Sequence, residues 1–138
     1  MPFSDLALSR RLECAEGFAC ARQAEARRRL NPIIGAEWLH CGGAFVAFDG
    51  VNSPCTQTFG LGIFEELRHA TLDKIESFFL DRGAPVFHEV SPFAGVAALE
   101  MLCERGYRPV ELSNVLYQRV AQPAAIIQGS IAVHVAGP

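Results

Sequence analysis

The residues of this chain best placed to do chemistry are His88, Glu89 and Ser91 in the run HEVSP, with Gly60 and Gly62 upstream in TFGLG. His88 and Glu89 are neighbours on an expected strand, so they point to opposite faces and cannot act as one acid–base pair. Glu89, near the end of that strand, is a candidate to hold an amine or serve as a base, in the place where open α/β sheets put their ligands. The plainer alternative is a carboxylate paired with an Arg or a backbone N–H. Ser91 precedes Pro92 and can open a turn; no G-x-S-x-G surrounds it, so it is not read as a nucleophile. Gly60 and Gly62 remove side chains at alternate positions of a strand and let a ligand or a neighbouring element approach the backbone. Glu89, Ser91, Gly60 and Gly62 are therefore the candidate substrate-binding residues. Gly60-Leu61-Gly62 is too short for a dinucleotide fingerprint, because no third glycine opens a helix after it.

The five cysteines, Cys14, Cys20, Cys41, Cys55 and Cys103, are odd in number and show no C-x-x-C spacing. They indicate neither a disulfide framework nor a zinc knuckle, and read as thiols packed like small hydrophobes in a reducing cytosol. His40 and Cys41 are adjacent and cannot easily share a metal from a strand, and His69 and His134 are distant in sequence. No metal site is expected.

The chain has 138 residues, half of them hydrophobic and a fifth charged, which suits one domain with one core. A net charge of −3 gives no footprint for nucleic acid; Arg27-Arg28-Arg29 reads as the solvated end of a helix. No leader peptide and no membrane-spanning stretch is expected, so the chain is assigned to the cytoplasm without a membrane partner.

Several elements must position the candidate residues. A helix capped at Ser4-Asp5 runs to Leu30, with Leu8, Leu12, Ala15, Ala19 and Ala26 on its apolar face. Its Arg residues, with Glu13, Glu16 and Glu25, go on the wet side, and Gly17 weakens its middle. Glu37–Asp49 reads as a hairpin bent at Gly42-Gly43, and Asp49-Gly50 as a turn. A strand is expected over Cys55–Ile63, then a loop over Phe64–Ala70. A helix over Thr71–Arg82 carries Leu72, Ile75 and Phe79 on one face, with Asp73 in its first turn. Phe78 and Phe79 are consecutive, so one of them is expected on a partner surface. A strand over Pro85–Val90 leads through a turn to a helix over Val96–Arg105, with Val96, Leu99, Leu102 and Cys103 on one stripe. A last strand, Glu111–Val120, completes a crossover in the same sheet. Residues 122–130 read as a linker. Ile131, Val133 and Val135 then alternate as the start of a second unit or as a tail, over residues 131–138.

The order of these elements, and the phrases Ser53-Pro54, TFGLG, TLDKIESFFLDRGAP, HEVSP and LCERGYRPVELSNVLYQ, resemble the GNAT acetyltransferase superfamily. The likeness is to the N-terminal half of bacterial tandem-GNAT proteins, and it covers most of Leu6 to Val120. It implies an α+β, three-layer α/β/α fold: a mixed, mostly antiparallel twisted sheet flanked by helices, as a domain over residues 1–121. It also implies acetyl-CoA as cofactor, a small-molecule amine as acceptor, and a second GNAT unit or a homodimer partner. Members of the superfamily bind the coenzyme pyrophosphate on a glycine-bearing loop before a helix. The matching segment here, Phe64–Ala70, has no glycine and carries Glu65 and Glu66, with Arg68 its one cation. The superfamily often places a tyrosine acid ahead of a Gly-aromatic step. Gly106-Tyr107 matches the step, and Leu102 stands in the acid's place and cannot donate a proton. No catalytic residue is carried over. The expectation is an N-acetyltransferase-family protein whose unit seen here is a non-catalytic half supporting a catalytic one. The alternatives are a small-molecule binding or dimerisation module without catalysis, and a transferase active on its own.

Overall fold

A computed structural model describes residues 5–117. The chain divides into two compact units, residues 1–108 and residues 109–138. In the second unit the described residues, 109–117, form no helix or strand. The strand expected over Glu111–Val120 is therefore absent from 111–117, and its last three residues lie outside the described ones. The expected linker at 122–130 and the segment 131–138 also lie outside them.

The first unit is mixed α+β, with three helices and a three-stranded antiparallel sheet. Helix α1, Leu6–Leu30, is capped by Asp5, whose carboxylate accepts the Leu8 N–H at 2.7 Å. Its last turn carries Arg27, Arg28 and Arg29, where positive charge suits the helix dipole. The helix runs unbroken through Gly17. Strands β1, Glu37–Cys41, and β2, Ala44–Phe48, form a hairpin in which Cys41 pairs with Ala44. Gly42 and Gly43 both have positive φ, 57° and 75°, as a tight turn matched to strand twist requires. Strand β3, Gln57–Phe59, pairs antiparallel with β2, and the sheet order is β1-β2-β3.

Every side chain of β2 is buried, and the strand's alternation sends them to two clusters. Phe45 and Ala47 pack with Phe59 of β3 and with Cys20 and Ala21 of α1. Ala44, Val46 and Phe48 join the larger cluster, which takes in helix α2, His69–Leu80, and helix α3, Gly95–Glu104.

Several expectations are corrected. The buried face of α1 is Ser9, Glu13, Gly17, Cys20, Ala21 and Ala24, while Ala15, Ala19 and Ala26 are exposed. The sheet supplies the bulk here: a Cβ on Gly17 would lie 2.6–2.9 Å from Phe45 side-chain carbons, so the helix must present small residues. Glu13, expected on the wet side, is 8% exposed. The strand expected over Cys55–Ile63 stops at Phe59, because Gly60 and Gly62 take positive φ and turn the chain. The strand expected over Pro85–Val90 shrinks to one parallel bridge, Thr58 to His88.

Helix α2 begins and ends two residues earlier than expected, which moves Asp73 out of the first turn. Phe78 and Phe79 are both buried in the larger cluster, their rings edge to face at 5.3 Å. On α3 the core is met by Ala98 and Leu102, while Val96, Leu99 and Cys103 are exposed. Among the described residues no helix is long and apolar enough to cross a membrane.

Candidate functional site

The candidate residues meet where β3 and the segment around His88 run side by side and then part. Thr58 N–H donates to the Phe87 carbonyl at 3.1 Å, and Glu89 N–H donates to the Thr58 carbonyl at 2.9 Å. Past that bridge the chain turns at Gly60 on one side and enters the Ser91–Pro92 turn on the other. The two turns form a fork, and α1 closes it.

Glu13 of α1 reaches into the fork and accepts the Gly60 N–H at 2.8 Å. One turn earlier, Ser9 Oγ and Ser91 Oγ share a hydrogen bond of 2.9 Å, and both serines are buried. Between them in sequence, Arg10 Nε donates to the Ile63 carbonyl at 2.6 Å. The Gly60–Ile63 turn is thus held at its first N–H and its last carbonyl by one helix turn. Burial pushes the Glu13 carboxyl above the ordinary carboxylate range; the Gly60 hydrogen bond pulls the other way and Glu16 adds to the rise.

The two glycines of the candidate set leave room for the protein's own atoms. A Cβ on Gly60 would lie 2.6 Å from the Phe64 ring, and one on Gly62 would lie 3.2 Å from the Ala94 methyl. Ser91 opens the turn Pro92–Ala94, where its Oγ accepts the Phe93 N–H at 3.3 Å. Glu89 is half-buried. The structure brings Gly60 and Ser91 together through α1. The partners that do so, Glu13 and Ser9, were not among the candidates. Their signal was present in the sequence: Ser9, Glu13 and Gly17 recur at four-residue spacing, as one helix face does.

Beside the fork, His88 packs against the Tyr107 ring at 4.8 Å and pairs its Nδ1 with Thr58 Oγ1 at 2.7 Å. Its buried Nε2 meets no hydrogen-bond partner among the described residues. Burial lowers the imidazole to about 4, so it stays neutral at pH 7.

The segment from Phe64 to Arg68 is anchored by buried Leu67 and shows Glu65, Glu66 and Arg68 to solvent. The α2 N-terminus carries no side-chain cap. Arg105 fastens the end of α3 to this region through the His69 carbonyl (3.1 Å), Asp73 (2.7 Å) and Glu76 (2.8 Å). Tyr107 donates its hydroxyl to Glu76 at 3.0 Å; burial, then that carboxylate, raises the phenol well above its ordinary range. Leu102 is 5% exposed in the core.

A second polar cluster lies further along α1. Asp49, 2% exposed, takes hydrogen bonds from Gln23 (3.1 Å), Arg27 (3.1 and 3.3 Å) and Ser53 (2.8 Å). Its backbone N–H donates to Thr56 Oγ1 at 3.0 Å, and that hydroxyl donates to the Gly50 carbonyl at 2.6 Å. Burial pushes this carboxyl upward, but the donors from Arg27, Ser53 and Gln23 together outweigh burial and hold it below the usual carboxylate range. The cluster floors an open hollow of about 670 Å³ bordered by Phe48, Val51, Pro54 and Arg82.

Comparison with protein-family models, with curated proteins and with solved structures finds no match to this chain.

Proposed function

We propose that this chain is an acyltransferase-like unit of the GNAT type, a three-layer α/β/α domain that supports a catalytic unit and does not itself transfer an acetyl group. The element order supports the lineage: a helix, three antiparallel strands, a helix, a parallel bridge at His88, and a helix. The non-catalytic reading rests on one observation. In the superfamily the space between the two parting strands is the ligand cleft; here the equivalent fork holds the Glu13 carboxylate on the Gly60 N–H. The exposed Glu65 and Glu66 beside an uncapped helix start support the same reading, since two carboxylates oppose a pyrophosphate.

The supporting role draws on α3, which turns Val96 (70% exposed) and Leu99 (50% exposed) outward. That apolar face suits packing against a second unit of the same kind or a second copy. The five free thiols suit a reducing compartment such as the cytoplasm. Acetyl-CoA remains the cofactor of the catalytic unit in this reading, and an amine its acceptor. Calorimetric titration of acetyl-CoA into the purified chain tests it. No saturable heat is expected, and saturable binding with the Glu13 contact displaced would overturn it.

A further inference from the structure

Arg22, Arg27, Arg82 and Arg105 are each met by a carboxylate. Arg10 and Arg11, neighbours near the start of α1, enter no ion pair among the described residues. Arg10 is held in place without being neutralised. Its Nε donates to the Ile63 carbonyl at 2.6 Å, and its guanidinium carbon lies 6.0 Å from the centre of the Phe64 ring. Both arginines border an open hollow of about 500 Å³ between α1 and the chain that turns after β3. Cys14, Ala15 and Phe18 of α1, with Phe64 beyond the turn, complete its wall, which is mostly apolar. Residues 11, 14, 15 and 18 share one helix face, and the small side chains of Cys14 and Ala15 leave the space between Arg11 and Phe18.

We propose that this hollow binds a small aromatic anion, a flat ring bearing a carboxylate. The wall holds two cations and no acid, so an anion meets attraction there and no like charge. The carboxylate takes N–H groups of Arg10 and Arg11; Arg10 spends its Nε on Ile63 and keeps its terminal nitrogens for a ligand. The ring packs against Phe18, which is 54% exposed, and against Phe64. The volume falls among those of small-molecule sites, about 300–1,000 Å³. The larger hollow over Asp49 lacks this feature, because its two arginines already hold carboxylates.

Arg22 backs the Phe18 ring, its guanidinium carbon 5.7 Å from the ring centre, and adds positive charge on that side. Arg10 and Arg11 are both exposed, so binding weakens as salt is added. This inference does not rest on the acyltransferase reading.

Two exposed thiols supply the test, Cys14 in the wall of the hollow as reporter and Cys103 on α3 as control. Naphthoate is titrated into the purified chain, and iodoacetamide alkylation of each cysteine is followed by digestion and mass spectrometry. At about ten times its Kd, naphthoate should slow Cys14 alkylation about tenfold and leave Cys103 unchanged. Naphthamide, its neutral counterpart, should protect far less. Arg11→Gln, at an exposed position, should raise the Kd for naphthoate about two- to fivefold. Absence of protection by naphthoate, equal protection by naphthamide, an unchanged Kd in Arg11→Gln, or slowing of both cysteines alike would overturn the proposal.

Discussion

Two carboxylates on the α1 side of the sheet are buried to similar degrees and behave in opposite ways. Glu13, 8% exposed, accepts one backbone N–H and is pushed upward by burial. Asp49, 2% exposed, gathers an Arg, a Gln and a Ser and is held below its ordinary range. Burial alone does not set the protonation of a carboxyl; the number and charge of its donors do. Asp49 therefore acts as a fastener, tying the C-terminal half of α1 to the β2–β3 loop. Glu13 is a carboxylate placed where the fold tolerates it with a single donor, at the fork where the protein's strands part.

Substitutions can break this contrast, and the largest effect belongs to the better-satisfied group. Asp49→Ala leaves Arg27, Gln23 and Ser53 without their common acceptor, and should cost about 3–4 kcal/mol in urea unfolding. Because the folded Asp49 pKa is depressed, its contribution is present above the unfolded carboxylate range and is lost as pH falls through the folded value. A wild-type chain should therefore converge on the variant in strong acid.

The imidazole beside the fork gives the next effect. His88 is depressed from 6.5 to about 4, so the unfolded chain binds the proton more readily over that window. Stability is full above pH 6.5 and should fall by about 3 kcal/mol as pH drops toward 4. In His88→Gln the imidazole's share of that fall should disappear, which unfolding curves of the two proteins at a series of pH values would reveal.

Gly17→Ala tests the close approach that lets α1 place Glu13 on Gly60 and bring Gln23 and Arg27 to Asp49. Its Cβ would sit 2.9 Å or less from three Phe45 carbons, one of them the Phe45 Cβ, so the helix must lift. The gain in helix propensity, about 1 kcal/mol, should be outweighed, leaving a net loss of about 1–2 kcal/mol. A stabilised variant would mean that Phe45 has another place to go.

The smallest effects separate shape from charge at Glu13. Glu13→Ala strands the Gly60 N–H and should cost about 1–2 kcal/mol at pH 7. Glu13→Gln keeps an acceptor and removes a charge that burial disfavours, so it should change stability by less than about 1 kcal/mol. For this raised carboxyl the linkage runs the other way from Asp49. The folded state binds the proton more tightly, so wild type gains on the Gln variant as pH falls through the folded value toward 4.5. Parallel pH profiles of the two proteins would sink the assignment.

The sequence by itself determined the elements whose causes are local. Asp5 caps α1, Gly42-Gly43 bends the hairpin, and Ser91-Pro92 opens a turn, because capping and positive φ depend on a few neighbouring atoms. Three helices and the hairpin were legible for that reason. Strand length was not: Cys55–Ile63 and Pro85–Val90 read as full strands from composition, yet they pair only over Gln57–Phe59 and at His88, because pairing needs a partner that composition does not name.

Of the candidate site, Gly60 and Ser91 do meet through α1, and the four-residue spacing of Ser9, Glu13 and Gly17 marks one helix face without saying that this face is the buried one. Glu13 read as a residue of the wet side of α1 until the sheet presented Phe45 and Phe59 to that face. Which side of α1 is buried and which carboxyl is paired are decided by contacts between segments far apart in the chain. No local propensity carries that information, and only the packed tertiary structure supplies it.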